Sequence, residues 1–592
     1  MSICAVSEHV VVNEEWHCLS PELLAEAYPS AEGADLAAKY KELSSFDELK
    51  VVTVEPVQKG DKLIGTRWVK TVSEQGVTKM RCVATQVAHC AADASLFAST
   101  PSLSSFKIVL ADASVKLQQS KLWPESWAPS SSSSPSKSLS SSSKLTSKAF
   151  IAGGLDLTKA FLNALLPEHE RVVIRPPPEA GVPKGFCWRA RRALYGLRAS
   201  PALWSHHLRR LMVSLGFACS RSEPNMYVHP EGVTVLAYVD DLFFYGPECS
   251  VDGFVRKLAT LVKFSEPTFL RNTGDSLLML GRTVTRTSKG FLLTTDPKHC
   301  IQIVAEMCDW ENRDLKQKIC PGRKATALEA EVLSTPLDAA HHSCFRRNVG
   351  RLIYCSLDRP DLLYMVKLLS SDVAGPTLES WRTLVDVACY LRGRESCMLL
   401  YEVSLDKNGF PPNIVESFAD SDWAGNQSRK STSGCSVMWG NVSLGFFSRS
   451  QGSFALSSCE AELYAAISST AEALYSVGLL AELGHLTKAR VWTDSSSALS
   501  LLQRPGHSRA IRHIHTKFLY IQDLVEKKII IVAKIGTKVN QGDLLTKIPT
   551  AEMLKDHMPR FGAFTLDAKE AARSRGVQAK RVLNPSTSEA VP

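Results

Sequence analysis

Two apolar segments joined by a pair of aspartates constrain the fold of this chain more than any other feature. Residues 232–247 read GVTVLAYVDDLFFYGP, so Val, Leu and Tyr precede Asp240, and Leu, Phe and Tyr follow Asp241. Short runs of β-branched and aromatic residues on either side of a turn predict a hairpin of two buried strands. Aspartate also favours turns for conformational reasons, so the paired acids alone fit an ordinary hairpin tip as well as a metal site.

Another predicted strand also ends in an acid. Residues 150–166, FIAGGLDLTKAFLNALL, predict a strand that ends at Asp156 and runs into a helix. Phosphoryl transfer by two metal ions needs carboxylates that hold two Mg²⁺ about 4 Å apart. Asp156, Asp240 and Asp241 are therefore candidate ligands of one such site.

The last third of the chain predicts a separate α/β unit. From residue 411 the predicted order is three strands, a helix, a strand, a helix, a strand and a final helix opened by QGDLLTKI. Four acids fall on separate predicted elements. Asp422 is an alternative to the first of them, Asp420, and Glu460 is an alternative to the second, Glu462. Each acid alone is typical of a solvated surface, whereas four together suit a pair of divalent ions. The four are Asp420, Glu462, Asp494 and Asp543.

Length, charge and cysteine spacing narrow the class of protein. A chain of 592 residues exceeds one ordinary core, so several domains are expected. Its net charge of +9 is compatible with a polyanionic partner. The 16 cysteines include no Cys-x-x-Cys pair, which argues against a zinc ribbon or a disulfide scaffold. Without a signal peptide pattern or an apolar run of roughly 20 residues, the sequence predicts a soluble intracellular protein.

Several ordered motifs resemble those of copia-type LTR retrotransposon Pol polyproteins. YVDD at 238–241 matches the reverse transcriptase signature, and DLTKAFLN at 156–163 is similar to the family's box around its first aspartate. ALYGLRASP at 193–201 resembles the box between them, and KMRCVA at 79–84 is similar to a fingers motif. The resemblance covers roughly residues 63–549 and implies a reverse transcriptase followed by a ribonuclease H.

The resemblance implies an α+β multidomain fold: a right-hand polymerase with a connection, then an α/β ribonuclease H-like domain with a mixed five-stranded sheet. A Ser-rich segment at 121–148 predicts a disordered insert, because serine, proline and lysine bury no apolar area. The implied domains are a poorly defined N-terminal extension (1–62), reverse transcriptase fingers and palm (63–265), thumb and connection (266–410), a ribonuclease H-like domain (411–549) and a C-terminal tail (550–592).

Roles in the polymerase follow from the resemblance. Asp156 and Asp240 are expected to be direct metal ligands, with Asp241 supporting them, for two Mg²⁺, or Mn²⁺, per active site. Phe161 lies where the family places the ring that blocks a ribose 2′-hydroxyl, although an ordinary core aromatic is the alternative. Arg81 is a candidate triphosphate contact because a guanidinium forks onto phosphate oxygens, although an exposed surface arginine also fits.

Roles in the ribonuclease H-like domain follow in the same way. We prefer Asp420 to Asp422 because it directly follows apolar strand residues, and Glu462 to Glu460 because it lies in an ELYA frame. His513, in RHIH, matches a family histidine and is expected to have a structural or substrate-positioning role rather than to transfer protons. The implied ligands of two further Mg²⁺ are Asp420, Glu462, Asp494 and Asp543.

The implied function is that of an RNA-directed DNA polymerase with RNA–DNA hybrid ribonuclease H activity. Its expected partners are an RNA template, a DNA primer, the hybrid, deoxynucleoside triphosphates and other Pol and Gag products, with no membrane. Its expected location is the cytoplasm, in a virus-like particle, or the nucleus. Ala199, where the family has Gln, and the Ser-rich insert keep open the alternative of a catalytically inactive relic that only binds nucleic acid. The ribonuclease H unit and the ALYGL box disfavour a telomerase or an intron maturase.

Overall fold

The structure is a computed structural model, in which the chain divides into two compact units. The first contains Met1–Thr100, Leu157–Leu215 and Ala259–Phe264, and the second contains the remainder. Residues 123–148 of the predicted insert, and His513, lie outside the described residues. Among described helices, none is long and apolar enough to cross a membrane. The residues described are 31–72, 76–86, 98–122, 149–323, 333–425, 429–504, 506, 514 and 519–567.

The helices and strands alternate along the described chain without a simple repeat. In chain order they are α1 (Ala31–Glu48), β1 (Val52–Pro56), β2 (Thr66–Val72), β3 (Thr78–Ala84), α2 (Leu103–Leu122), β4 (Phe150–Asp156), α3 (Ala160–Asn163), β5 (Val173–Ile174), β6 (Phe186–Ala190), α4 (Ser200–Ser214), β7 (Ala218–Cys219), β8 (Met226–Val228), β9 (Thr234–Tyr238), β10 (Asp241–Pro247), α5 (Glu248–Ala259), β11 (Thr268–Leu270), β12 (Ser276–Met279), β13 (Arg282–Arg286), β14 (Phe291–Thr295), α6 (Lys298–Glu311), α7 (Ala339–Ser356), α8 (Leu363–Ser371), α9 (Leu378–Leu391), β15 (Ser396–Tyr401), β16 (Ile414–Asp422), β17 (Thr432–Trp439), β18 (Val442–Ser450), α10 (Ser458–Glu482), β19 (Lys488–Thr493), α11 (Ser496–Gln503), α12 (Tyr520–Glu526), β20 (Ile530–Lys534), α13 (Ala551–His557) and β21 (Ala563–Leu566).

In the first unit, helix α1 packs against short sheets. Strands β1, β6 and β5 form a three-stranded sheet, and β2 pairs antiparallel with β3 as the alternating sequence predicts. Phe46 of α1 packs on Trp188 of β6, with ring centroids 5.8 Å apart, and Leu43 and Val51 are also buried. Part of the expected N-terminal extension therefore belongs to this core. The apolar residues of α1 follow no clear helical period, which hides the helix in the sequence.

The second unit contains a six-stranded antiparallel sheet, which we call the palm sheet. Its strand order is β11-β4-β10-β9-β8-β7. Strands β9 and β10 form the predicted hairpin: Tyr238 pairs with Asp241, so Val239 and Asp240 form a two-residue turn. Strand β10 also pairs with β4. The sheet packs closely at Gly153, where a Cβ would lie 2.7 Å from the Thr268 carbonyl oxygen.

A second antiparallel sheet, the connection sheet, has the order β12-β13-β14-β15-β21. Helices α6, α7, α8 and α9 supply a buried apolar cluster in the same region of the chain. The edge strand β21 comes from the expected C-terminal tail and pairs Phe564 with Met398. This part of the tail is therefore ordered by strand pairing with residues more than a hundred positions earlier.

The third sheet, the ribonuclease H-like sheet, has the order β18-β17-β16-β19-β20. Strands β16, β17 and β18 are antiparallel, whereas β16, β19 and β20 are parallel, and α10 packs across them. The predicted mixed five-stranded sheet and the multidomain α+β class are confirmed. The predicted final helix differs: Gln541–Leu545 is a 3₁₀ turn, capped by the side chain of Asn540 on Gly542 N–H at 3.1 Å. Pro549 disfavours a helical conformation at Ile548, so the α-helix α13 begins only at Ala551.

Helix α2 lies between the three sheets of the second unit. It packs against β4 and β10 of the palm sheet, β15 of the connection sheet, and β18 and α10 of the ribonuclease H-like domain. Because the helix is buried over most of its length, its polar residues need partners. Asp112 accepts a hydrogen bond from the Tyr245 hydroxyl, and its other oxygen lies 2.6 Å from His485 Nε2. The three sheets therefore share one continuous core.

Candidate active sites

The palm sheet brings the three predicted polymerase acids to one end. Asp156 is the last residue of β4 and pairs directly with Asp241, the first residue of β10. Asp240 precedes Asp241 in the hairpin turn. Asp156 is exposed, and the other two are half-buried. The Ser265 hydroxyl accepts the Asp156 backbone N–H at 3.1 Å, which anchors the end of the strand.

The hairpin turn is strained and its acids interact. Val239 has a φ of 61°, a region that a β-branched residue rarely adopts. Burial, followed by the charges of Asp240 and Asp156, raises the pKa of Asp241 to about 6. Carboxylates that disfavour each other's ionisation in this way gain from a bound cation. These three residues therefore fit oxygen-ligated Mg²⁺.

In the first unit, the two predicted nucleotide-binding residues contact one tyrosine. The Arg81 guanidinium lies 5.5 Å from the ring centroid of Tyr195, and the half-buried Phe161 ring meets the same tyrosine edge-on at 5.6 Å. The Tyr195 carbonyl accepts the Ala84 N–H at 2.7 Å. Next to it, Gly196 has a φ of 85°, and a Cβ there would lie 2.0 Å from the Ala84 carbonyl oxygen. Sequence reasoning did not select Tyr195, although its ALYGL motif was the available signal.

The ribonuclease H-like domain brings three of its four predicted acids together. Asp420 of β16, Glu462 of α10 and Asp494, which follows β19, place carboxylate oxygens within 4.8 Å of one another. Glu462 Oε1 accepts hydrogen bonds from Ser421 N–H at 3.2 Å and Ser421 Oγ at 2.8 Å. Its buried Oε2 has no hydrogen-bond partner within the described part of the chain. A buried oxygen in this position is available to a metal ion.

Electrostatics of the group also fit a cation. Burial and the Asp494 charge raise the pKa of Glu462 to about 7, against the hydrogen bonds from Ser421. Burial, then Glu462 and Asp543, raise the pKa of Asp420 well above its usual value. Because each carboxylate disfavours ionisation of its neighbours, a divalent ion would offset their repulsion. The donor set is all oxygen and suits Mg²⁺.

The fourth acid, Asp543, lies beside this group and pairs with a lysine. Lys547 Nζ lies 2.8 Å from Asp543 Oδ1. Burial lowers the pKa of Lys547, but the charges of Asp420 and Asp543 outweigh it, so that the pKa is raised. Lys547 lies in the QGDLLTKI segment, where the sequence alone indicated only Asp543 as a site residue. Its charge partly neutralises the carboxylates.

The two alternative acids have other partners. The Tyr364 hydroxyl of α8 lies 3.5 Å from Asp422 Oδ2. Glu460 accepts hydrogen bonds from Leu456 N–H at 2.8 Å and from the Tyr464 hydroxyl at 2.6 Å, near the start of α10. These contacts favour structural roles for both residues.

Comparison with known proteins agrees with the motifs. Residues 133–295 match the family model described as reverse transcriptase (RNA-dependent DNA polymerase). The Pol polyprotein of transposon TNT 1-94 from Nicotiana tabacum is 27% identical over 67% of this chain and 29% of its own length. The Pol polyprotein of transposon RE1 from Arabidopsis thaliana is 27% identical over 66% of this chain and 26% of its own. The chain thus spans less than a third of the length of these relatives.

Among solved structures, the foamy viral protease-reverse transcriptase in complex with an RNA/DNA hybrid aligns with 88% of this chain and 55% of that chain, at 12% identity and a TM-score of 0.44. The complex of the foamy viral protein with double-stranded DNA aligns with 84% of this chain and 82% of that chain, at 13% identity and a TM-score of 0.42. The family match and the plant relatives confirm the resemblance noted in the sequence: this chain is similar to copia-type retrotransposon Pol polyproteins and carries a reverse transcriptase domain.

Proposed function

We propose that this chain is an RNA-directed DNA polymerase with an associated RNA–DNA hybrid ribonuclease H activity. The observation that carries the proposal is the pairing of Asp156 with Asp241 on adjacent strands, with Asp240 in the turn beside them. The family match supports the polymerase. The carboxylate group of Asp420, Glu462 and Asp494 supports the nuclease.

In the polymerase, Asp156 and Asp240 would hold two Mg²⁺, or Mn²⁺, and Asp241 would support them. When bound, such ions activate a primer 3′-hydroxyl and stabilise the departing pyrophosphate. The strained turn at Val239 fixes Asp240 relative to its neighbour, so little reorganisation is needed when the ligands assemble. Phe161 would occupy the space beside the 2′ position of a deoxynucleoside triphosphate, and Arg81 would contact its phosphates.

In the nuclease, the same chemistry is assigned to Asp420, Glu462, Asp494 and Asp543. Ser421 orients Glu462 through two hydrogen bonds to one oxygen, which leaves the other oxygen available as a ligand. The proposed partners are an RNA template, a DNA primer, the hybrid, deoxynucleoside triphosphates and other Pol and Gag products. The proposed location is the cytoplasm, in a virus-like particle, or the nucleus.

Paired assays on the purified full chain test both activities. Asp240→Asn should abolish Mg²⁺-dependent primer extension on an RNA template and spare hybrid cleavage, because an amide cannot supply an anionic ligand. Asp494→Asn should have the opposite effect. The control is Asp252→Asn, which changes a partly exposed acid on α5, with 42% side-chain exposure, and should change neither activity.

Extension by Asp240→Asn at the wild-type rate would refute the polymerase assignment, and wild-type cleavage by Asp494→Asn would refute the nuclease assignment. A wild-type chain that binds hybrid but performs neither reaction would favour the catalytically inactive relic.

A further inference from the structure

Exposed apolar side chains lie on the two chain segments that flank Asp420 and Glu462 in the sequence. Trp423 is 49% exposed, Phe454 58% and Leu456 69%. Lys430 Nζ lies 5.9 Å from the centroid of the Phe454 ring. We call these four residues the aromatic patch. Large apolar side chains that share one exposed surface indicate a binding site, whereas single ones need no explanation.

The patch is held in a defined geometry. Trp423 Nε1 donates a hydrogen bond to the Ala455 carbonyl at 3.0 Å, which joins the segment after β16 to the segment before α10. Leu456 N–H donates to Glu460 Oε2 at 2.8 Å. The side chain of Ser457 caps the first turn of α10. Both rings are therefore carried on segments that are fixed by hydrogen bonds, so little conformational entropy would be lost on binding.

The position of the patch relates it to the candidate nuclease site. Trp423 follows Asp420 by three residues at the end of β16, and Leu456 lies six residues before Glu462. The same two chain segments thus carry both the carboxylates and the exposed rings. Lys430, and Arg429 beside it, add positive charge at the surface.

We propose that the aromatic patch binds the RNA–DNA hybrid, with Trp423 and Phe454 packing on bases or sugars and Lys430 contacting a phosphate. An aromatic face next to a cation suits a nucleic acid, because each nucleotide offers a flat base, an apolar sugar face and a phosphate. The proposal rests on the proposed nuclease function for its choice of substrate. A protein partner on the same surface is the competing outcome.

Hybrid binding by the full chain tests the proposal. The probe is a fluorescein-labelled RNA–DNA hybrid, measured by anisotropy with Ca²⁺ replacing Mg²⁺ to suppress cleavage. Trp423→Ala and Phe454→Ala should each weaken binding by about fivefold to tenfold, and Phe454→Tyr should restore it. The control Phe410→Ala removes a ring that is 57% exposed just before β16, and it should bind like the wild type.

Salt dependence separates the roles within the patch. Lys430→Gln should reduce the slope of log affinity against log salt by about one, whereas the two ring variants should leave the slope unchanged. In Mg²⁺, the ring variants should raise the KM of hybrid cleavage by a similar factor and leave the KM of primer extension unaltered.

The outcomes distinguish this proposal from the proposed function. Absence of hybrid cleavage by the wild type would refute the nuclease, while the anisotropy series would still decide the patch. Wild-type affinity of both ring variants, with unchanged thermal midpoints, would overturn the patch as a hybrid-binding surface and favour a protein partner.

Discussion

His485 Nε2 lies 2.6 Å from a carboxylate oxygen of Asp112 inside the core shared by the palm and ribonuclease H-like sheets. Asp112 belongs to the central helix α2, His485 follows α10, and the second Asp112 oxygen accepts the Tyr245 hydroxyl of β10. One buried carboxylate therefore joins the two candidate catalytic regions of the second unit. Its partners come from residues far apart in the sequence.

Asp112→Ala should lower the free energy of unfolding by about 3–5 kcal/mol, because His485 and Tyr245 would lose their buried acceptor. Urea denaturation followed by circular dichroism measures the loss. The control Asp523→Ala breaks an exposed i, i+4 pair with Lys527 and should have no measurable effect. Equal stability of Asp112→Ala and wild type would contradict the role of this residue as a link.

The burial of Lys367 should make the stability of the fold depend on pH. Burial lowers the pKa of Lys367 to about 8, against the charges of Asp422 and Asp372. Between about pH 8 and the ordinary lysine value of 10.5, the unfolded chain binds more protons than the folded one, so stability should rise with pH. Lys367→Met should remove this rise and should be more stable than the wild type near pH 7. Urea midpoints at several pH values measure both effects.

The control for this experiment is Lys527→Met, since Lys527 is exposed and pairs with Asp523, one turn earlier in the chain. Its stability should follow the pH profile of the wild type. Parallel profiles for Lys367→Met and wild type would contradict the prediction.

Lys547 should compete with a divalent ion in the ribonuclease H-like domain. Its ammonium lies 2.8 Å from Asp543 Oδ1. A Mg²⁺ bound to these carboxylates would therefore be repelled by the Lys547 charge. Lys547→Met should therefore tighten Mg²⁺ binding by about tenfold. Mg²⁺ affinity is measured by calorimetric titration. The Asp240→Asn substitution is present in every variant, so that Mg²⁺ binding at the polymerase acids contributes less to the heat. Lys527→Met, which breaks the exposed pair, should bind like its parent, and the same affinity in Lys547→Met would rule out competition.

Phe161→Ala should admit ribonucleotides, because the proposed task of the ring is to fill space beside the 2′ position. The discrimination ratio, measured as kcat/KM for deoxynucleotides over ribonucleotides, should fall by at least about tenfold. Phe161→Tyr keeps the ring that meets Tyr195 at 5.6 Å and should retain discrimination. An unchanged ratio in Phe161→Ala would identify the residue as an ordinary packing aromatic.

The sequence by itself determined the helices and strands that are specified by short-range patterns of residues. The hairpin around Asp240 and the strand that ends at Asp156 were predicted because apolar alternation and turn residues act over a few positions. The order of predicted elements indicated the α/β unit, and the resemblance implied its mixed five-stranded sheet. The resemblance then named the acids that such elements would carry.

Only the tertiary structure decided which distant groups meet. Strand β1 pairs with β6 in the first unit, and β21 pairs with β15 in the connection sheet. Pairing between strands far apart in the chain leaves no pattern in the sequence of either strand. The tertiary structure also brought together the carboxylates of Asp420, Glu462 and Asp494, which lie on separate elements, and it placed Lys547 within reach of the Asp420 charge. These outcomes depend on burial and on charges brought close by folding, and both are properties of three-dimensional neighbours, which no local pattern encodes.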